Sequence, residues 1–270
     1  MFNSETARQF VWSIILITVF IGLSYLSPER KGGSRLSDNI ITATEQDGIQ
    51  LYQLAVMYDY EGDKDKAKSH FLMAIAALPQ GDERIFNSYI YLARLVFPAD
   101  QHLSEQNKEE LTGYIKKLDS LKQTNTDKAW VHALLAEFYH SENNQEYAIE
   151  SARKAVELDP SNAAFPHVLG EVMLEGHNHG KHVFYTNHLD EAIYFLKLSL
   201  EIDKIPSHSY YLLGVAYWFK GEREKAKAIW QEGLRVIPID TSYPKWFKVE
   251  VEKDIRAALA APEELEHMKL

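Results

Sequence analysis

The sequence predicts an all-α fold, in which about five helix pairs stack into a solenoid between a preceding apolar helix and a closing helix. Three observations support this prediction. Periodic segments are separated, rather than interrupted, by Gly and Pro; a set of small, aromatic and proline residues recurs at fixed spacing; and an uncharged apolar run lies near the N terminus. No tight-turn dipeptide joins two alternating segments, so no β-hairpin is expected.

Composition limits the classes of function. The formal net charge is −10 and the basic runs are short, whereas nucleic-acid-binding surfaces are usually basic, so we expect no nucleic-acid partner. The absence of cysteine excludes disulfides, thiolate zinc sites and a cysteine nucleophile. The sequence contains no catalytic serine motif, phosphate-binding glycine loop or zinc-protease motif, so we expect neither catalytic residues nor a cofactor.

The apolar run follows a short N-terminal tail, residues 1–9. Residues 10–26, FVWSIILITVFIGLSYL, carry no charge, and their Phe, Ile, Leu and Val side chains together favour membrane insertion by about 4–5 kcal/mol. As a helix the run is about 25 Å long, which is short for a bilayer but workable. We therefore predict that residues 10–26 form a single-pass anchor in a bacterial inner membrane.

A cleaved signal peptide is the alternative interpretation of this run. It would leave a soluble secreted protein, and the mass of the mature chain distinguishes the two. Arg8 is the only basic residue before the run, and no small-x-small cleavage pattern follows the run. Both observations favour an anchor. Arg30, Lys31 and Arg35 follow the run and slightly favour a cytoplasmic location for the rest of the chain, although long domains cross membranes largely regardless of charge. The side of the membrane stays open.

A linker and a repeat array follow the apolar run. Residues 27–47 contain Pro, a Gly pair and no apolar periodicity, which is typical of a linker. Beyond it, two segments share residue types at offsets 0/1, 4, 8, 13, 17, 20 and 25. The first has Leu54-Ala55, Tyr58, Gly62, Ala67, Phe71, Ala74 and Pro79, and the second has Leu213-Gly214, Tyr217, Gly221, Ala226, Trp230, Gly233 and Pro238.

A third copy keeps the same register. It contains Leu135-Ala136, Tyr139, Ala148, Ala152, Ala155 and Pro160, with Asn143 in place of the turn glycine. The small residues allow two helices to approach closely, and the final proline ends the second helix because it lacks an N–H and clashes with the preceding turn. The pattern resembles the tetratricopeptide repeat (TPR) family, a resemblance that implies helix–turn–helix units in a right-handed solenoid.

The array is expected to span residues 48–240. Its units cover about residues 48–81, 82–128, 129–162, 163–206 and 207–240, the second and fourth being degenerate. In the fourth, Gly170 and Ala192 lie 22 residues apart where the intact copies have 12, because of an insert at 176–187. A closing helix within residues 241–262 covers the end of the array, and residues 263–270 form a tail that we expect to fray.

The insert raises the question of a metal site. Its stretch EGHNHGKHVFYTNH supplies His177, His179, His182 and His188 as possible zinc ligands. However, His-x-His directs two side chains to opposite sides of an extended backbone, and the Gly and Asn residues are typical of a solvated turn. We interpret the insert as a surface loop without metal. A metal-binding protein that uses residues 177–188 remains the alternative function.

The resemblance implies a function in protein interaction. In TPR arrays the first helix of each repeat lines a concave groove that binds a peptide or helix of a partner protein. The family's groove positions map onto Tyr52, Val56, Asp59, Ile90, Arg94, Trp130, Glu137, His167, Glu171, Tyr211, Val215, Trp218 and Phe219. We therefore predict a membrane-tethered scaffold or adaptor, similar to single-pass bacterial TPR proteins that assist assembly of an envelope or membrane complex.

Overall fold

The helices of the array occur in consecutive pairs. We used a computed structural model, which describes residues 43–97, 103–122, 124–178, 181–204 and 206–270. Within those ranges five pairs are present, at α1 Ala43–Glu61 and α2 Lys64–Ala77, α3 Glu83–Val96 and α4 Glu105–Leu121, α5 Asn125–Ser141 and α6 Gln145–Leu158, α7 Ala164–Leu174 and α8 Leu189–Ile202, and α9 Ser207–Phe219 and α10 Arg223–Val236. The mostly helical, TPR-like fold expected from the sequence is confirmed.

The start of the chain is only partly covered. The predicted N-terminal tail and apolar run, residues 1–26, lie outside the described residues, as does the linker up to residue 42. Residues 43–47 belong to α1, so the predicted linker is five residues too long at its C-terminal end. These residues are mostly polar and lack apolar periodicity, so no helix was predicted there. In the part of the chain that the structure describes, no helix combines the length and apolar character needed to cross a bilayer.

The turn within each intact pair has a left-handed residue. Gly62, Asn143 and Gly221 occupy the same position in three repeats and have φ of 85°, 58° and 84°. Glycine adopts such angles without steric cost, and Asn is among the few other residues that tolerate them. The replacement of Gly by Asn in the third repeat therefore preserves the turn.

The small residues produce the close helix packing expected from the sequence. Ala55, Ala93 and Ala136 are completely buried in the first three pairs. In the last pair a Cβ added to Gly214 would lie 2.2 Å from Nε1 of Trp230, a completely buried side chain. The Trp230 indole N–H also donates to the Tyr211 carbonyl oxygen at 3.0 Å, which fixes its ring between α9 and α10.

The insert is not the exposed loop that the sequence predicted. Strands β1 Glu175–Asn178 and β2 Lys181–Phe184 pair antiparallel, with Glu175 opposite Phe184. Phe184 is completely buried, and its ring lies 5.6 Å from that of Phe219 in α9. The hairpin thus adds core to the C-terminal repeats. The strands were missed because each has only four residues, β1 has no large apolar side chain, and the two in β2, Val183 and Phe184, are adjacent rather than alternating.

The C-terminal tail also differs from expectation. A 3₁₀ helix at Pro262–Met268 follows the closing helix, α11 Lys245–Ala260, and Leu265 is buried. The Leu270 N–H donates to the Phe184 carbonyl oxygen at 2.8 Å, and Lys269 forms a parallel bridge with Phe184. The expectation that residues 263–270 fray is therefore wrong, because their partner is a strand far away in sequence.

The closing helix reaches both ends of the array. Val251 and Ile255 are buried against the last repeat. At the start of α11, the Trp246 side chain lies 3.0 Å from a Cβ built on Gly62 in the first repeat. The segment before and at the start of α11 therefore passes from the fifth pair to the first and lies across the inner helices.

Candidate functional site

One residue position recurs on all five inner helices. It directly follows the small residue of each repeat, and its members, which we call the inner row, are Val56, Arg94, Glu137, Glu171 and Val215. Arg94 is exposed, whereas Val56, Glu137 and Glu171 are partly buried and Val215 is completely buried. The three middle repeats thus present charged groups where the terminal repeats present valine.

The charged members of the inner row influence one another. Burial raises the pKa of Glu137 to about 7, while Arg94 and His167 oppose the rise and Glu171 adds to it. Asp59 on α1 lies within reach of the same Arg94 guanidinium, which opposes the rise that burial causes in the pKa of Asp59. Charges from α1, α3, α5 and α7 therefore form one connected group, in which Glu137 exchanges a proton near neutral pH.

Glu171 is held in the opposite protonation state. Burial alone would raise its pKa, but hydrogen bonding and charge attraction from His167, with His208 and His140, lower the pKa of Glu171 well below its usual range. The distance from His167 Nε2 to Glu171 Oε2 is 3.3 Å. The two residues are four apart on α7, a spacing that places both side chains on one helix face.

A chain of hydrogen bonds orients the His167 ring. Ser199 Oγ donates to the Ala163 carbonyl oxygen at 2.9 Å, and the 3.5 Å contact between the hydroxyls of Ser199 and Ser209 is then donated by Ser209. Ser209 Oγ lies 2.8 Å from His167 Nδ1, and the tautomer of the ring sets which of the two donates. In the neutral tautomer that donates from Nδ1, Nε2 accepts from the Tyr243 hydroxyl at 3.1 Å.

His208 on α9 completes this side-chain cluster. Its ring lies 5.3 Å from that of His167 and 5.2 Å from that of Phe247 at the start of α11. Burial lowers the pKa of His208, although the charges of Glu171 and Glu175 oppose the effect. Within the described residues neither ring nitrogen of His208 has a hydrogen-bond partner.

The structure separates the predicted groove residues into two classes. Those in the fifth repeat are covered by the chain itself: Tyr211, Val215 and Trp218 are buried, and Phe219 packs between Phe184 and Lys269. Ile90 is also buried in the core of the second pair. The fifth-repeat part of the predicted groove is therefore not available to a partner, because the hairpin, the C-terminal tail and α11 cover it.

The remaining predicted residues keep at least part of their surface, except His167. Tyr52 packs edge-on to Phe71 at 5.9 Å, and Trp130 packs edge-on to Phe165 at 5.0 Å. Val56 and Asp59 are partly buried on α1, and Arg94 is exposed on α3. His167, which is buried, instead joins the polar cluster with Glu171.

Sequence reasoning missed His208 and Tyr243. His208 stands five residues before Leu213, and Trp130 stands five residues before Leu135, so the two positions are equivalent in their repeats. Had the position of Trp130 been transferred to the fifth repeat, His208 would have been among the predicted groove residues. Tyr243 belongs to no repeat, and its contact with His167 arises from the path of the chain after α10, so no local signal indicates it.

The insert histidines do not converge in the described part of the chain. His182 Nε2 lies 3.1 Å from Glu175 Oε1, and His188 Nδ1 lies 3.5 Å from Glu191 Oε2. His177 pairs with His182 by backbone register in the hairpin, and His179 lies outside the described residues. The metal-ligating atoms that do converge there are those of His167, Glu171 and His208, all within 4.8 Å of one another.

Comparisons with known proteins give the family of the repeats. The tetratricopeptide repeat model matches residues 131–162 and 207–240, which contain most of α5 and all of α6, α9 and α10. TTC0263, a thermophilic TPR protein in Thermus thermophilus, is 17% identical over 79% of this chain and 99% of that chain, with a TM-score of 0.54. Comparison with curated proteins gives no match.

Two further solved structures are similar at lower scores. MamA 41-end from Desulfovibrio magneticus RS-1 is 14% identical over 74% of this chain and 100% of that chain, with a TM-score of 0.43. YrrB, a TPR protein with an unusual peptide-binding site, is 16% identical over 77% of this chain and 93% of that chain, with a TM-score of 0.38. The family model and the Thermus structure together show that this chain contains tetratricopeptide repeats in a TPR-like helical fold.

Proposed function

We propose that this protein is a scaffold that binds a segment of a partner protein at the inner helices of its first three repeats. One observation carries the proposal. The inner row presents Arg94, Glu137 and Glu171 from successive repeats, and their charges act on one another. Folding does not require charged groups at these positions, since the equivalent positions of the terminal repeats are Val56 and Val215.

The cost of the charges supports a role outside folding. Ionisation of Glu137 is unfavourable in the folded protein, because burial raises the pKa of Glu137 to about 7. Proteins keep such locally destabilising groups mainly where they bind or react. Arg94 is exposed beside this carboxylate, and arginine is among the residues that contribute most binding energy at interfaces.

The surface also indicates the chemistry of the bound segment. Tyr52, Val56 and Trp130 supply apolar area, while Asp59 and Arg94 supply one charge of each sign. A complementary segment has apolar side chains that alternate with charged ones, in an extended or helical conformation. The C-terminal repeats contribute little to this surface, because α11, the hairpin and the tail cover them. The start of α11 also contacts the first repeat, so the partner segment binds beside it, at the inner residues that stay exposed or partly exposed.

Site-specific photo-crosslinking in intact cells tests the proposal. A photoreactive amino acid at Arg94 or Trp130 should capture the same partner, whereas one at Tyr147 or Tyr194 should not. Tyr147 and Tyr194 are matched controls, since they are exposed by 52% and 61% on the outer helices α6 and α8. Equal capture of this partner from outer and inner positions would contradict the proposal.

A charge reversal gives an independent test. Arg94→Glu should abolish capture from Trp130, because the guanidinium would be replaced by a third carboxylate near Asp59 and Glu137. Arg153→Glu on the outer helix α6 is the control, since the Arg153 side chain is 41% exposed and contacts Glu191 and the face of Phe195. Loss of capture in both variants would indicate a general effect of charge.

We further propose that residues 10–26 anchor the scaffold in a membrane, so that bound partners are gathered for assembly of an envelope or membrane complex. The proposal rests on the uncharged apolar run in the sequence. The full chain should stay with membranes during extraction at high pH, and a chain without residues 1–26 should not. A mature chain that has lost these residues would indicate a secreted protein instead. Protease protection would establish the side, for which the flanking cations slightly favour the cytoplasm.

A further inference from the structure

Three potential metal ligands converge between α7 and α9. His167 and Glu171 share one face of α7, and His208 lies on the neighbouring inner helix. One nitrogen from each histidine and one carboxylate oxygen lie within 4.8 Å of one another. None of the three belongs to the insert, where the sequence placed its candidate histidines.

We propose that His167, Glu171 and His208 form a binding site for a divalent transition-metal ion of the zinc type. Two imidazoles and one carboxylate are a ligand set that zinc uses with a fourth, exchangeable position. Nitrogen and oxygen ligands of this kind also disfavour calcium and magnesium, which take oxygen ligands. The site does not depend on the proposed partner interaction.

The distances fit a tetrahedral ion. Ligands bound to zinc at about 2.0–2.1 Å are separated by about 3.3–3.4 Å from one another. The distance between His167 Nε2 and Glu171 Oε2 is already 3.3 Å. The third ligand atom needs to approach by no more than about 1.5 Å, given the 4.8 Å limit, which a small rotation of the His208 ring provides.

The hydrogen bonds present the correct atom of His167. In the tautomer that donates its Nδ1 proton to Ser209 Oγ at 2.8 Å, the His167 Nε2 lone pair is available 3.3 Å from Glu171 Oε2. Metal-bound histidines usually donate their other N–H to such a group, which fixes the ring.

The surroundings favour a cation. The carboxylates of Glu137 and Glu175 both act on Glu171, so three acidic groups surround the site, and Arg94 is the basic group that acts on Glu137 from α3. His208 contacts Tyr211, Tyr243 and Phe247 through its ring, and in the described residues its nitrogens have no other protein ligand. Glu171 retains 27% of its side-chain surface, which provides access for an ion.

A proton shared between His167 and Glu171 is the competing explanation of their 3.3 Å approach. Zinc titration distinguishes a metal site from a shared proton. The full chain, purified in detergent and freed of metal with a chelator, is titrated with Zn²⁺ in competition with a chromophoric chelator. We expect one ion per chain. Glu171→Gln and His208→Asn should each lower the affinity by more than about 100-fold, and Ser209→Ala by about 10–100-fold.

Matched controls identify the site. His188→Asn removes one exposed insert histidine, and a variant with His177, His179 and His188 all changed to Asn removes three. Both should keep the wild-type affinity. Circular dichroism in chelator establishes that each variant is folded, and Glu171→Gln keeps the shape of a side chain that is partly exposed, so it provides a folded test case.

Two results would overturn the inference. One is the absence of stoichiometric Zn²⁺ binding in the wild-type chain, which would leave the shared proton as the explanation. The other is an affinity that is unchanged in Glu171→Gln and His208→Asn but lost in the triple insert variant. Cobalt substitution adds a structural readout, because a four-coordinate nitrogen and oxygen site gives an intense visible absorption that should be lost in His208→Asn.

Discussion

The N-terminal and the C-terminal repeats of this protein are all helix pairs but have different inner surfaces. In the second repeat the inner-row residue is Arg94, which is exposed, whereas in the fifth it is Val215, which is completely buried. The repeat pattern specifies how helices pair. Whether an inner face is free depends on segments outside the pattern, here the hairpin, the C-terminal tail and α11.

The cores of the two regions differ accordingly. A single large cluster of buried side chains joins α5 to α11 with the hairpin and the final 3₁₀ helix, and it includes Phe184, Trp230 and Leu265. The first two repeats have smaller clusters, one of which is centred on Phe71 and Leu92. We therefore expect substitutions in the C-terminal region to affect stability more than those in the N-terminal region.

The largest expected effect is that of removing the hairpin's contribution to the core. Phe184→Ala should lower the free energy of unfolding by about 3–5 kcal/mol, because it deletes a completely buried aromatic ring. Urea unfolding measures the change. Tyr194→Ala, at an exposed position of α8, is the control and should stay within about 0.5 kcal/mol. Similar values for both would mean that the insert is a solvated loop.

A comparison of two helical glycines tests the close packing. Gly214→Ala should lower the free energy of unfolding by about 1–3 kcal/mol, because a methyl group would collide with the buried Trp230 ring. Gly113→Ala, in the exposed interior of α4 with open space around it, should raise it by about 0.5–1 kcal/mol. A stabilising effect at Gly214 would contradict the packing of α9 against α10.

The inner row should make stability depend on pH. Because the pKa of Glu137 is raised to about 7, the folded state binds its proton more tightly than the unfolded state, whose pKa is near 4.5. The contribution of Glu137 to stability is therefore greatest below about pH 4.5, falls as the pH rises to about 7 and is then constant. Glu137→Gln should remove this slope and stabilise the protein at pH 8 by about 1–2 kcal/mol, the full shift being reduced by the partial exposure of the side chain.

Urea unfolding between pH 5 and pH 8, with a chelator present, measures this dependence. Glu110→Gln on the outer helix α4 is the control, since the contacts of Glu110 with Lys68 and Tyr114 lower its pKa. Its contribution is lost as the pH falls below about 4.5, so the slope between pH 5 and pH 8 should persist in that variant. An unchanged slope in Glu137→Gln would show that this carboxylate is not buried.

The smallest effect concerns the C-terminal tail. Deletion of Lys269 and Leu270 removes the hydrogen bond from the Leu270 N–H to the Phe184 carbonyl oxygen and the bridge beside it. We expect a loss of about 0.5–1.5 kcal/mol and faster hydrogen exchange in Lys181–Phe184. Unchanged exchange there would mean that the tail does not pack on the hairpin.

The helix pairs were predictable because their signals are local. The small residue, the turn glycine and the final proline of each repeat lie within 25 residues of one another, and Asn143 could be assigned to a turn by its place in that pattern alone. The coverage of the fifth repeat could not be predicted. It depends on contacts such as that between Phe184 and Leu270, whose residues are distant in sequence, and no periodicity reports them.

The same distinction applies to the site. Arg94, Glu137, His167 and Glu171 follow from the repeat register, and the structure places their charges together. Tyr243 lies beside His167 only because the chain after α10 turns back over the inner helices, a path that the sequence does not encode in any short motif.

Hydrogen–deuterium exchange tests the central claim most directly. It compares the full chain alone with the full chain saturated with the partner that photo-crosslinking identifies. That claim is that the N-terminal inner surface receives the partner while the C-terminal one is closed by the chain itself. We predict added protection in Glu83–Val96 and Asn125–Ser141, with Ser207–Phe219 unchanged. Protection confined to Ser207–Phe219, or to outer helices such as Gln145–Leu158, would contradict it.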